Sequence, residues 1–252
     1  MHRFDLPFAS PAHQLAADEA LLDWREADGA PDERAALLLF WEPAETFVVA
    51  GYANKLAAEV KVSDCEERGI PVFRRCSGGG AVVQMPGGLN YSLILPIIPD
   101  GATRNIASAN RFIMEKNRDA IQSLCGPEIV ISVRGHTDLA LAQRSAPGDF
   151  RKFAGNSQRR RRHFLLFHGT FLLGCELGII GELLRMPSLQ PDYRAGRPHA
   201  DFVTNLNLPA AAVKTALAQA WNVTSELADP PLSEIDRLAR DKYATREWNY
   251  KF

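Results

Sequence analysis

The chain lacks any uninterrupted apolar stretch of the roughly 20 residues that cross a bilayer, and its opening residues, MHRFDLPFASPAH, hold no apolar secretion core. Membrane insertion and export are therefore disfavoured. Cysteine is scarce: Cys65, Cys76, Cys125 and Cys175 stand far apart, without CxxC spacing or nearby histidine pairs. That argues against a disulfide framework and a zinc centre and points to reduced thiols in a cytoplasm. Neither sign of charge is in excess. With 29 Lys+Arg against 30 Asp+Glu the formal net charge is -1, so no global field draws in nucleic acid or an anionic membrane. Internal repeats and glycine/serine linkers are also missing. What is present is 252 residues, 46% hydrophobic and 23% charged, which suits one large domain spanning 1–252.

Ser10 before Pro11 marks a helix start, and Leu15, Ala16, Leu22 and Ala27 are spaced as its buried stripe. Two apolar runs, 36–41 and 47–51, flank the turn Glu42-Pro43-Ala44-Glu45 and predict a hairpin. Helical spacing over 56–68 ends at Gly69, with Pro71 preventing continuation. Strands are expected at 72–74, 81–84 and 89–95, punctuated by Gly78-Gly79-Gly80 and Pro86-Gly87-Gly88. A long amphipathic helix over 104–124 would bury Ile106, Ile113, Ala120 and Leu124. A second strand block follows at 129–133, 139–141, around Phe153 and at 164–173, and from 176 onward helical pieces flank an irregular stretch, 187–198. Strands and helices mix without strict alternation, which favours an α+β fold over a doubly wound sheet.

Chemistry concentrates in two segments. In Phe73-Arg74-Arg75-Cys76-Ser77-Gly78-Gly79-Gly80-Ala81-Val82, two guanidiniums and a hydroxyl precede three residues without side chains. Such a loop lets backbone amides approach an anion while paired arginines supply planar donors for carboxylate or phosphate. A tight turn with two solvated arginines is the plainer alternative, and neither a P-loop nor a dinucleotide fingerprint is present. The second segment is Arg151-Lys152-Phe153-Ala154-Gly155-Asn156-Ser157-Gln158, followed by His168-Gly169-Thr170. A lysine there can reach a cleft and stabilise charge on a transferring phosphoryl or acyl oxygen. Taken singly, Lys152 reads as a solvated strand lysine and His168 as a structural histidine.

In their order along the chain, these segments resemble the lipoate–protein ligases and their octanoyltransferase relatives, whose patterns run RRxSGGGAV, GxLNYS, lysine-xxGNAQ and HGTLLL. The stretch Gly87-Gly88-Leu89-Asn90-Tyr91-Ser92 supplies the second pattern. Secondary matches lie in Gln14 with Leu15 to Leu22, in Val48-Val49-Ala50-Gly51 with Asn54, and in Lys242-Tyr243-Ala244-Thr245-Arg246-Glu247-Trp248-Asn249. The resemblance implies mixed, largely antiparallel sheets with flanking helices, similar to biotin protein ligase and class II aminoacyl-tRNA synthetase catalytic domains. It implies ATP and magnesium, lipoate or octanoate as substrate, and transfer to a lipoyl carrier domain of an acyltransferase subunit or a glycine-cleavage H-type protein. It makes Lys152 the catalytic lysine, with Asp138 orienting it or holding magnesium; a plain turn carboxylate is the alternative for Asp138. Arg74, Arg75, Ser77, Gly78, Gly79, Gly80 and Ala81 would bind substrate, together with Asn90, Gly155, Asn156, Ser157, His168, Gly169 and Thr170.

The sequence departs from that family in several places. One branch uses a cysteine near the strand before the lysine motif, and 134–141 holds none, which favours adenylation over a thioester route. Gly135-His136-Thr137-Asp138 stands for the ligase GRND, and Gln84 stands where several ligases carry histidine. The chain reaches Phe252 just after the catalytic signature, so the small accessory domain of many ligases is expected to be absent or supplied as a separate subunit. The run Arg159-Arg160-Arg161-Arg162-His163 lacks interleaved aromatics, so nucleic acid is disfavoured, and a solvated hairpin tip or a patch facing an acidic carrier is expected. Competing readings are an ATP-independent octanoyl-carrier transferase, a biotin ligase, and a catalytically idle lipoate- or partner-binding module.

Overall fold

The runs at 37–41 and 47–50 are buried along their whole length, and a strand without polar alternation is covered on both faces. They do not form the expected hairpin; each becomes an inner strand of a different sheet. The computed structural model describes residues 1–8, 10–29 and 35–252. The first helix, α1 (Pro11–Ala27), follows strand β1 (His2–Asp5). Ser10 sits at its cap, but the Ser10 carbonyl rather than the hydroxyl is engaged, by the Gln14 amide at 3.1 Å. Leu15, Ala16 and Leu22 are buried as expected, whereas Ala27 is exposed because the last turn runs past the sheet.

The runs become β2 (Leu37–Trp41) and β3 (Phe47–Ala50). Short helices α2 (Leu56–Glu59) and α3 (Val62–Glu67) replace the single helix expected over 56–68, because Val60 between them is extended and bridges Leu184. Gly69 ends α3 in the left-handed region, at φ +65, as its position promised. Then come β4 (Val72–Arg74), β5 (Val82–Gln84), β6 (Gly88–Pro96), α4 (Ile106–Gln122), β7 (Ile129–Arg134) and β8 (Asp138–Gln143). The chain continues through β9 (Arg151–Arg160), β10 (Phe164–Leu172), α5 (Gly178–Leu183), α6 (His199–Phe202), α7 (Ala210–Ala220), β11 (Ser225–Glu226), α8 (Leu232–Leu238) and α9 (Arg246–Asn249).

Among the described residues one sheet has eight strands, ordered β11-β1-β2-β6-β10-β9-β8-β7, parallel only where β1 meets its two neighbours. The other has the order β4-β3-β5. The fold is α+β, with mixed sheets and flanking helices. Alternation along the strands decides what covers each face. Leu38, Phe40, Tyr91, Phe167 and Phe171 pack under α4 and α7, where each fully buried large side chain contributes roughly 1.5–3 kcal/mol. Leu37, Leu39, Ile94 and Leu166 face α1 and α8 instead. The small sheet lies beside α1 on that second face and shares Phe47 and Val49 with the same core.

α4 starts with a reciprocal cap in which Asn105 Oδ1 accepts the Ser108 amide at 2.9 Å and Ser108 Oγ accepts the Asn105 amide at 3.3 Å. Ile113 and Ala120 are buried, but Ile106 in its first turn is 58% exposed, beyond the packed part of the helix. The arginine run is not a solvated tip. Arg159 donates to the Cys76 carbonyl, Arg160 to the Thr103 carbonyl, and Arg161 forms a bidentate pair with Asp23 at 2.7 and 2.9 Å. Glu26 accepts the amides of Arg162, His163 and Phe164, so the last turn of α1 ties down the β9–β10 turn.

Candidate active site

Antiparallel register places Leu39, Ser92, His168 and Ser157 in one row across β2, β6, β10 and β9, and Trp41, Asn90, Thr170 and Gly155 in the next row on the same face. These rows floor a cavity whose roof is the small sheet and the glycine loop, with Val49, Gly79, Gly80, Ala81, Val82 and Gln84 facing inward. Leu15 and Asp18 of α1 close one side, while Lys152, Asp138, Arg185, Leu189 and Phe202 line the other. The lysine motif and the triple-glycine loop therefore share one cavity.

Lys152 enters through a register shift between Leu139 and Ala140, which re-aims β9 against β8. Its ammonium lies 2.7 Å from Asp138 Oδ1, and the side chain is 29% exposed. It folds back over Gly155, where a Cβ would come within 2.7 Å of both Cε and Nζ, so the glycine makes the room that the lysine occupies. The second carboxylate oxygen of Asp138 accepts the Tyr193 hydroxyl at 2.9 Å. Both Asp138 oxygens are thus engaged within the protein, one on an ammonium and the other on a phenol, and no group of three His, Cys, Asp or Glu gathers among the described residues. Asp138 joins Lys152 to Tyr193.

The two arginines are not the free anion donors that the sequence suggested. Arg74 is fully buried, lies off the cavity, and donates to the carbonyls of Gly51, Tyr52 and Asn54 at 2.8, 3.1 and 2.9 Å and to that of Trp248 at 3.2 Å. It ends a short strand whose outward face meets α9. Arg75 borders the cavity, yet its guanidinium turns back on its own loop, to the carbonyls of Gly78 at 2.5 Å and Gly80 at 2.9 Å. Burial lowers its pKa to about 10. Gly79, at φ +86, brings the loop against this guanidinium; a Cβ there would lie 2.9 Å from Arg75 Nη2. Gly78 faces away from the cavity, its carbonyl also accepting from Ser157 Oγ at 2.9 Å.

Ser77 is 1% exposed and does not reach the cavity wall. Its hydroxyl lies 2.5 Å from His168 Nε2, and His168 Nδ1 lies 2.6 Å from Asp18 Oδ2. A carboxylate only accepts, so Nδ1 carries the hydrogen that bonds Asp18, and the Ser77 oxygen accepts from Arg75 Nε at 3.1 Å. Ser92 donates to the other Asp18 oxygen at 2.6 Å. Serine, histidine and aspartate in this order resemble a nucleophile triad, but the burial of Ser77 and its bond from Arg75 make the row a brace between α1, the sheet and the loop. Neighbouring polar groups are likewise satisfied. Gln84, Asn90 and Thr170 close a ring with bonds of 2.5 to 2.9 Å, and Asn156 joins Tyr91 to the Thr137 carbonyl at 2.6 and 2.7 Å. Gly169 also lines the cavity.

None of the four cysteines lines the cavity. Cys76, despite its place in the loop motif, is buried, and burial, reinforced by Glu19 and Asp18, pushes its thiol up to about 12. Sequence reading passed over Asp18, Tyr193 and Trp41. Asp18 could have been noticed, because two adjacent acids among buried alanines and leucines must have partners. Glu19 has them in Lys242 and Tyr243, at 2.5 and 2.8 Å.

Residues 10–221 match the family described as Lipoyl protein ligase A/B catalytic domain. The octanoyltransferase LipM of Anoxybacillus flavithermus is 26% identical to this chain, over 96% of it and 95% of the relative. A bipartite lipoate protein ligase from Thermoplasma acidophilum, solved in a study that includes its E2 lipoyl domain, superposes with a TM-score of 0.78 at 21% identity, covering 99% of this chain and 95% of that one. A lipoate-protein ligase A bound with ATP gives 0.76 at 22% identity, covering 99% of each chain. At these identities the structures bear on the fold.

Proposed function

Given that the chain belongs to the lipoyl protein ligase A/B catalytic-domain family, we propose that it is an ATP-dependent lipoate–protein ligase, activating lipoate or octanoate and passing the acyl group to a lysine of a lipoyl carrier domain. The observation that carries this reading is an ammonium, Lys152, facing the glycine loop across a cavity on whose wall no thiol lies. Without a thiol on the cavity wall an acyl-enzyme thioester has no attachment point there, and an acyl-adenylate is an activated form that needs none.

In the first step a carboxylate oxygen attacks the α-phosphorus of ATP and pyrophosphate leaves. In the second, the carrier amine attacks the carbonyl carbon, AMP leaves on its phosphate oxygen, and the amine loses a proton to water. Lys152, held by Asp138, stabilises negative charge on the phosphate and then on the carbonyl oxygen. Both Asp138 oxygens are engaged within the protein, so Asp138 is assigned to Lys152 rather than to magnesium. The partner in this proposal is a lipoyl carrier domain of an acyltransferase subunit or a glycine-cleavage H-type protein, and 1–252 acts as one catalytic unit, alone or with a separate accessory polypeptide. A cytoplasmic setting accords with four free thiols and with the absence, among the described residues, of a helix long and apolar enough to cross a membrane.

The floor also sets a length. From Gly155 under the lysine to Trp41 it crosses three inter-strand spacings, about 14 Å. An extended eight-carbon acid spans roughly 9 Å by its bond geometry, so it fits within the length of this floor. Trp41, 6% exposed, stands at the far end of that row and is the residue we assign to end the acyl channel.

The similarity to LipM favours a second reading, transfer of octanoyl from a carrier thioester without ATP. One experiment separates them. The protein is incubated with octanoate or lipoate, ATP, magnesium and a lipoyl domain, and, in parallel, with octanoyl carrier protein and the lipoyl domain alone. Pyrophosphate release with acyl-adenylate detected by mass spectrometry supports the ligase. Modification of the lipoyl domain only in the ATP-free arm replaces it by the transferase.

A further inference from the structure

The hydroxyl of Tyr193 reaches Asp138 Oδ2 at 2.9 Å while Asp138 Oδ1 holds the Lys152 ammonium at 2.7 Å. We propose that Tyr193 is a positioning residue for Lys152, acting through Asp138. A carboxylate beside an ammonium can offer either oxygen or both, and it rotates between these arrangements when nothing holds it. Tyr193 takes one oxygen, so the other is presented to Nζ and the lysine stays folded over Gly155. The tyrosine is itself fixed from two sides. Its ring lies 5.1 Å from that of Phe202, and the β7–β8 turn packs so closely on it that a Cβ at Gly135 would approach Pro191 Cβ at 3.1 Å and Tyr193 Cε1 at 3.8 Å. Arg197 grips the Tyr193 carbonyl at 3.0 Å. Burial, and then the Asp138 charge, push the phenol well above its ordinary value, so it remains a donor throughout the neutral range. The irregular stretch around 187–198, which also lends Leu189 and Pro191 to the cavity wall, thereby bears on the lysine through Tyr193.

The role rests on the reading that Lys152 serves acyl transfer, but it can be tested apart from that reading. The free protein is pulse-labelled with acetic anhydride, and acetylation of Lys152 is quantified against exposed Lys55 by peptide mass spectrometry in wild type, Tyr193→Phe, Asp138→Ala and the double variant. Tyr193→Phe is expected to speed Lys152 labelling about fivefold, the order expected when one hydrogen bond is lost. On Asp138→Ala it should add less than twofold, because the effect passes through Asp138. Trp221→Phe, which removes a buried bond to Asn117 on the far face of the sheet, controls for lost stability and should leave Lys152 labelling unchanged. In the acyl-transfer assay Tyr193→Phe should lower kcat about tenfold while KM for the acid stays within twofold. Unchanged labelling in Tyr193→Phe, an effect fully additive with Asp138→Ala, or an equal change in Trp221→Phe overturns the proposal. A wild-type protein that transfers no acyl group while its Lys152 labelling follows the expected pattern overturns the function and supports the positioning role.

Discussion

Two cationic regions lie in and beside the cavity, and they use charge in opposite ways. Arg74 and Arg75 direct their planar donors at backbone carbonyls, seven of whose bonds hold Gly51 to Asn54, Trp248, Gly78 and Gly80 in place. Lys152 has a carboxylate partner and remains part-exposed in the cavity. Guanidinium suits the first task, since its fixed fork can satisfy several acceptors at once; an ammonium on a flexible stem suits the second, since it can follow charge as it moves. The contrast teaches that a cation near a ligand cavity is assigned a role by what already saturates it, more than by its distance from the ligand.

The sharpest way to break that contrast is to remove each cation in turn. Lys152→Ala should reduce adenylate formation and transfer by about a thousandfold or more, with the melting temperature nearly unchanged, measured by pyrophosphate release and calorimetry. Retained activity would put the reacting charge elsewhere. Arg75→Ala should instead cost stability, about 3 kcal/mol by denaturant unfolding, because buried carbonyls and Ser77 lose their donor. If it unfolds like wild type and loses only activity, Arg75 belongs with Lys152. A smaller effect is expected from Trp41→Ala, which should shift preference from eight- towards twelve-carbon acids by about tenfold in competition assays. The smallest concerns pH. Burial opposes ionisation of Glu19, but bonds from Lys242 and Tyr243 with the Arg159 charge overcome it, and its pKa lies below the ordinary value. Its stabilisation is therefore present above the unfolded carboxylate range, about 4.3, and is lost as pH falls through the lower folded value. Glu19→Gln should flatten that acid limb in melts taken from neutral pH downward, and an unchanged limb would remove Glu19 from the account.

Much of this fold is written in local pattern. The strand runs, the αL glycine at 69 and the amphipathic face of α4 follow from spacing and backbone chemistry, and the α+β class follows from their order. Pairing was less legible. Residues 37–41 and 47–50 looked like a hairpin because an apolar run says that a strand is covered, without saying by which neighbour. The convergence of Lys152, Asp138 and the glycine loop could be expected from the family pattern, whereas the inward turn of Arg75 depends on carbonyl directions that no sequence displays. Tyr193 belongs to a stretch without periodicity, and its contact with Asp138 spans 55 positions.

The carbonyl cage around Arg74 has a consequence for the order in which its parts can meet during synthesis. Asn249 accepts the Arg74 amide at 2.9 Å, Trp248 donates to its carbonyl at 2.8 Å, and Lys242 with Tyr243 bonds Glu19 of α1. Partners separated by 174 to 224 positions meet only after residues 242–249 have been made, whereas the Gly51, Tyr52 and Asn54 carbonyls, 20 to 23 positions away, can take the guanidinium long before. Docking of α9 is therefore a late step, adding the Trp248 carbonyl to a cage already begun and pinning the Arg74 backbone from both sides.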